Sequence, residues 1–376
     1  MALTISGVRI NGALTAVHIS PPPVPPTYYL WAWGESDYGQ LGLGDTTKRS
    51  SPTQIGALTT WSSISAGSKH FLALKTDGTL WAWGNGAQGR LGQGNTTDRS
   101  SPVQIGALTT WLTAAGGYSH VMALKTDGTM WSWGYNAYGQ LGLGNTTGYS
   151  SPKQVGALTT WSSIKPTYNS VLAIKTDGTM WSWGHGTDGR LGLGDTTNRS
   201  SPVQIGALTT WLTIGVGWNR CMAIKTDGTL WAWGHNYEGG LGLGNQTYYS
   251  SPKQIGALTT WSKITGGNYH SLAIKTDGTL WAWGYNGQGN LGLGDLTWRS
   301  SPVQVGALTT WSSISGGNST LALKTDGTLW SWGWNSHGPL GLGDTTTRSS
   351  PVQVGASTGW SIIATNTNHS AAIGTQ

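Results

Sequence analysis

Four histidines fall at one position of a repeated unit. His70, His120, His270 and His369 stand there, and other copies place Ser170, Arg220 and Thr320. A ring of imidazoles could bind a metal or move protons. The interruptions argue for a plainer role, a side chain that closes a loop by hydrogen bonding. A second series behaves alike: Asp45, Asp195, Asp295 and Asp344 alternate with Asn95, Asn145 and Asn245. Catalytic carboxylates form a unique pair, whereas capping a turn suits Asp and Asn equally. Cys221 is the single cysteine, which excludes an internal disulfide and a cysteine-based zinc site. It reads as a small packed side chain. Gly-x-Gly motifs recur but open no helix, so no phosphate-binding loop is expected. We read no enzyme, no cofactor and no metal.

The element that positions these residues is a hairpin, clearest at 74–84 (Leu-Lys-Thr-Asp-Gly-Thr-Leu-Trp-Ala-Trp-Gly). Its Trp-x-Trp-Gly core returns at Trp31, Trp81, Trp131, Trp181, Trp231, Trp281 and Trp330. A period of 50 residues, once 49, means a propeller or a solenoid. Thr76-Asp77-Gly78 is the turn. Before it, Leu72 and Leu74 share one strand face and Phe71 and Ala73 the other; after it, Trp81 and Trp83 share a face. Both faces are apolar, as in blades stacked around a ring. Position 82 is only Ala or Ser in all copies, so something packs closely there.

Four strands per unit are expected, near 52–55, 61–66, 70–75 and 79–84. The chain enters the ring at Tyr28-Tyr29-Leu30-Trp31 in mid-hairpin and ends on the missing strand, His369 to Gly374. The fold expected is all-β: a seven-bladed propeller over 27–376, closed by its two end strands in one blade. Residues 1–20 stand apart as a hairpin with Val8, Ile10, Leu14 and Val17 as anchor residues. Residues 21–26 form a stiff proline-rich linker. The anchor is expected to engage a partner chain, the propeller itself or further copies of the chain.

Of 24 Trp, all but Trp218, Trp298 and Trp334 fall on repeat positions and read as core. Net charge is +6 without a basic run, which argues against nucleic acid and allows mild attraction to anionic glycans. No apolar run reaches membrane-spanning length and no leader-like segment stands at the start.

Comparison of the copies is the strongest functional signal. Meandering strands would put 56–60 and 76–78 on one face of the disc, and the segments near 46–51, 65–70 and 85–89 on the other. The first set barely varies. The second is rewritten copy by copy with Tyr, Trp, Asn, Ser, Gly, His and Arg, residues suited to adaptable recognition. Candidate binding residues on that face are Tyr38, Lys69, Tyr118, Tyr135, Tyr138, Tyr168, His185, Trp218, Arg220, His235, Tyr237, Tyr269, Tyr285, Trp298, Trp334 and His337.

The run Leu-Lys-Thr-Asp-Gly-Thr-Leu-Trp-Ala-Trp-Gly, with Gly39-Gln40-Leu41-Gly42-Leu43-Gly44 and Ser51-Pro52, resembles the RCC1-type repeat of seven-bladed β-propellers. The resemblance covers 27–376 and implies the fold, but no single activity. Family members include exchange factors, a bacterial β-lactamase inhibitor and a plant ultraviolet photoreceptor. Units of 49–50 residues leave no room for an exchange factor's wedge. The photoreceptor's Gly-Trp-Arg-His-Thr motif is absent; Gly217-Trp218-Asn219-Arg220-Cys221 is the nearest match. Uniform repeats behind a short anchor also look like proteins of bacteriophage particles. The expectation is a non-enzymatic phage appendage that engages other virion proteins through residues 1–26 and recognises a host surface glycan or protein; its expected location is the virion, otherwise the cytoplasm. The alternatives are a structural virion protein and a soluble inhibitor of the β-lactamase-inhibitor type.

Overall fold

The computed structural model describes residues 27–375, which form seven four-stranded antiparallel sheets. The 1–20 hairpin, with Val8, Ile10, Leu14 and Val17, and the 21–26 linker lie outside the described residues. Blade 1 shows the plan. Trp61–Ala66 is innermost, followed outward by His70–Lys75, Leu80–Gly84 and Arg99–Gln104. Blades 2 to 6 repeat it, starting at Trp111, Trp161, Trp211, Trp261 and Trp311. No helix of the described residues is long and apolar enough to cross a membrane.

Blade 7 closes the ring. Trp360–Thr365 and His369–Gly374 come from the end of the chain; Tyr29–Gly34 and Arg49–Gln54 come from its beginning. Tyr29 pairs with Gly374 and Gly34 with His369, in unbroken register. The end strands therefore cover each other's edges.

The blade is out of phase with the four strands expected per unit. Arg49–Gln54 starts earlier than the expected 52–55 and pairs with Tyr29–Gly34, through Trp31 opposite Gln54. Segment 56–60 thus crosses from the outer strand of one blade to the inner strand of the next. The assignment of loops to faces is unaffected.

Alternation along the strands builds the core between blades. Phe71, Ala73, Trp83 and Trp61 pack with Leu30, Ala32 and Ile373 of blade 7. Leu72, Leu74, Leu80 and Ala82 pack with Trp111, Val121 and Trp133 of blade 2. Every blade is thus apolar on both sides, and the small residue at position 82 admits the neighbouring blade. Where that residue is Ser, its hydroxyl bonds a backbone carbonyl, as Ser132 Oγ does to Leu141 O at 2.8 Å.

Candidate functional site

The face carrying 56–60 and 76–79 is uniform because its hairpin turn is a self-contained assembly. Gly78 has φ +78°, and a Cβ there would stand 2.1 Å from Thr109 O. Asp77 Oδ1 accepts from the Thr79 amide (2.9 Å) and hydroxyl (2.6 Å), and Thr79 Oγ1 accepts from Trp81 Nε1 at 2.9 Å. Those hydrogen bonds from Thr79 hold the Asp77 carboxyl below its usual range. Lys75 Nζ lies 3.7 Å from the centroid of Trp81. The other five Lys-Thr-Asp-Gly-Thr hairpins repeat this arrangement. On this face Leu58, Leu108, Leu158, Leu208, Leu258 and Leu308 are each about half exposed, at 46–49%.

The opposite face is where the copies diverge. Around the central channel, repeat position 68 holds Ser68, Tyr118, Tyr168, Trp218, Asn268, Asn318 and Thr367 in turn. Inner loops of successive blades are joined through backbone, as from Tyr168 N to Trp218 O (3.2 Å) and Asn268 N to Gly317 O (2.9 Å). One half of the mouth is therefore aromatic. Tyr118 and Tyr168 ring centroids are 4.1 Å apart, Tyr168 and Trp218 5.1 Å, and Trp218 and Tyr269 5.1 Å. The arc runs on outward through Tyr285 (6.0 Å), Trp298 (5.1 Å) and Tyr237 (6.4 Å). Burial, then the neighbouring Tyr118, pushes the Tyr168 phenol up to about 12. The other half is polar. Asn318 Nδ2 donates to Asn368 Oδ1 at 3.1 Å, and Ser68 and Thr367 hydroxyls are 3.5 Å apart. Below the mouth lies a cavity of about 400 Å³, lined by Tyr118, Tyr168, Trp218, Asn268 and Thr367 and, deeper, by Lys165.

The remaining expected site residues sort into clusters. Lys69 reaches the Tyr38 hydroxyl (3.4 Å) and ring (4.6 Å). Tyr135 meets Tyr138 at 6.1 Å, and Tyr138 stacks on His185 at 4.1 Å. His235 lies 4.6 Å from Tyr248, and Trp334 5.1 Å from His337, apart from the arc.

Arg220 is a correction. It is 1% exposed and so is not a surface contact. Its guanidinium donates to Ser271 Oγ (3.0 Å), Asn268 O (3.1 Å), Gly267 O (3.0 Å) and the His270 carbonyl. Burial pulls its pKa down to about 10. Arg90 and Arg190 are buried as well, so these three cations add little to the surface charge.

The histidine position also differs from expectation. The loop is closed by that residue's carbonyl: Gly67 N donates to His70 O (2.8 Å), and Gly217 N to Arg220 O (3.0 Å). Any side chain permits this bond. Three of the buried rings lie against the glycine three residues earlier instead, where a Cβ on Gly67 would meet His70 Cε1 at 2.0 Å; His369 has Asn366 at that place. Burial drives these imidazoles far below the ordinary range, to about 3 for His120 and His270 and about 4 for His369. In blade 6 the position belongs to Ser319, opposite Gly333, and not to Thr320; the shortened loop shifts the register. Thr320 bonds the His270 ring at 2.9 Å. Among the described residues, no group of three or more His, Cys, Asp or Glu could hold a metal ion. Cys221 is buried, and burial pushes its thiol up to about 12, which suits packing and not nucleophilic attack. The Asp/Asn series caps turns as expected: Asp45 Oδ1 accepts from Thr47 N (2.8 Å) and Asn95 Oδ1 from Thr97 N (3.0 Å).

Sequence reasoning missed Lys165, Asn268, Asn318 and Thr367. A signal existed for Lys165, because the equivalent residue is small and uncharged in every other blade.

The family description "RCC1-like domain" matches residues 29–265. "Regulator of chromosome condensation (RCC1) repeat" matches 277–323 and 326–373. Among solved structures, human WBSCR16 is 21% identical over 93% of this chain and 99% of its own, with TM-score 0.83. Prp20p from Saccharomyces cerevisiae is 20% identical over 94% and 92%, with TM-score 0.84. That structure was described with its binding to Gsp1p and histones; another shows Kap60 bound to yeast RCC1 (19% identity, 100% and 97% coverage, TM-score 0.83). At these identities the likeness is one of fold.

Proposed function

The chain belongs to the RCC1-like domain family, and from that premise we propose that it is a non-enzymatic recognition propeller that binds its partner through the variable face. The observation that carries this reading is the continuous aromatic arc, from Tyr118 to Trp298, on the one face that the repeats rewrite. Half-exposed Tyr and Trp beside amides and hydroxyls supply stacking and hydrogen bonding at low entropic cost. That relatives of this fold bind proteins supports a binding role; what they bind is theirs. The finer reading is an appendage of a phage particle, held by 1–26, that meets a host surface glycan or protein. It rests on the uniform repeats and the sequence of 1–26.

A test is saturable binding of the full chain to intact bacterial cells and to a glycan array. The quadruple variant Tyr168→Ala, Trp218→Ala, Tyr269→Ala, Trp298→Ala is expected to stay folded and lose it. Undiminished binding by that variant would sink the proposal.

The six exposed leucines of the constant face favour a second reading, in which that face packs on neighbouring subunits as architecture. Leu108→Asp with Leu208→Asp would then break assembly, while the quadruple variant assembled normally.

A further inference from the structure

Register places seven residues at one level of the innermost strands, from Ser65 opposite Leu72 to Ala364 opposite Ala371. Six are Ser, Ala, Gly or Thr; blade 3 has Lys165, opposite Leu172. Ser65 and Ser315 accept from the Gly116 (3.2 Å) and Thr365 (3.0 Å) amides of the next blade. Lys165 makes no hydrogen bond or ion pair among the described residues. Solvent reaches it along the channel, yet protein surrounds it, and that enclosure lowers its pKa. The cavity lining contains no Asp or Glu. Its other cation, Lys69, is turned to Tyr38. Pro166 follows Lys165 and restricts its backbone to the extended form. A lone ammonium in a channel that holds no carboxylate attracts an anion, and the bond it would form is charge-assisted.

We propose that the channel mouth binds the carboxylate-bearing terminal sugar of a glycan, its carboxylate on Lys165, its ring against the Tyr168–Trp218 wall, its hydroxyls on Asn268 and Thr367. This rests on the recognition reading above and names its ligand class. A sugar ring offers an apolar face and a hydroxylated edge, matching one aromatic and one polar wall. About 400 Å³ is small-ligand size. One ammonium balances the single charge of a carboxylate and leaves a phosphate monoester, at about −1.5 to −2, only partly compensated.

The experiment titrates the full chain with oligosaccharides ending in uronic or sialic acid, each paired with its carboxyl-reduced form. The acid form is expected to bind at least about tenfold tighter, the range of a charge-assisted hydrogen bond. Lys165→Met should erase that preference with an unchanged melting temperature, and Lys69→Met should keep it. Equal binding of the two forms, a preference that survives Lys165→Met, or no binding of any acid form overturns the inference. If cell binding is still lost in the aromatic variant, the recognition reading stands without it. If cell binding survives that variant, the reading falls first.

Discussion

Arg220 shows how one residue answers another. Its own-blade neighbour is Gly240, where a Cβ would lie 3.1 Å from Arg220 Nε. Blade 1 reverses the sizes: His70 stands with Arg90, whose Nη1 reaches Tyr118 O at 3.3 Å. Arg220 Nη1 reaches the equivalent carbonyl, Asn268 O, at 3.1 Å. Either position can deliver the guanidinium. Arg220→His should therefore cost about 2–4 kcal/mol by leaving buried carbonyls unpaired. Adding Gly240→Arg should recover most of it, read as urea midpoints. The buried histidines set a pH response. Each has its folded pKa far below the unfolded 6.5, so its stabilising effect is complete above pH 6.5. It is lost as pH falls from 6.5 toward about 4 for His369 and about 3 for His120 and His270, because the unfolded chain takes up protons first. Each contributes a slope of about 1.4 kcal/mol per pH unit in that window. His120→Gln should reduce the slope between pH 6 and 5 by roughly a quarter of the four-histidine total; an unchanged slope would show that the ring is not held neutral. The depressed carboxylates, starting from 3.8, act below the interval from pH 6 to 5.

The hairpin does more than fill its own blade. Trp83 is fully buried, and its Nε1 donates to Gln40 O, 3.0 Å away in the preceding blade's loop. The same bond recurs around the ring and closes through Trp33 to Pro339 O at 2.8 Å. Gly42 lies against that indole with φ +72°, and a Cβ there would stand 2.7 Å from Trp83 Nε1. Gly42→Ala should cost about 1–3 kcal/mol in backbone strain, plus displacement of the indole. Thr79→Val should cost about 1–2 kcal/mol, because it removes the bond accepted from Trp81 Nε1 and the one donated to the exposed Asp77 carboxylate, and both partners can turn to water. Thermal midpoints of the two variants should rank accordingly.

At the scale of the molecule, closure and recognition are separate properties. Removing 369–376 would expose the edges of Tyr29–Gly34 and Trp360–Thr365, which that strand now covers. The truncated chain should melt over a broader range, at lower temperature, and self-associate on size-exclusion chromatography. A sharp, unshifted transition would show that closure is dispensable. The binding variants should leave the melting curve nearly unchanged, since their side chains lie on the solvent side of the core.

Repeat number, strand alternation, the indole core and the closing blade were legible in the residues because each depends on local pattern: a 50-residue period, a turn at Thr76-Asp77-Gly78, and a strand supplied from each end. The division into a constant and a rewritten face was legible for the same reason, since antiparallel strands alternate their connections. The convergence of Tyr118, Tyr168 and Trp218 was not. They stand 50 residues apart, and only the packing of successive blades brings their centroids to 4.1 and 5.1 Å. Nor could the sequence tell Arg220 from a surface cation, because the space it fills is left by Gly240 and bordered by the next blade. Lys165 differs from its equivalents in the sequence, but its place in a channel without a counter-charge is set only when the inner strands enclose that channel. Periodicity is written along the chain, whereas burial and charge pairing depend on neighbours that only the closed ring supplies.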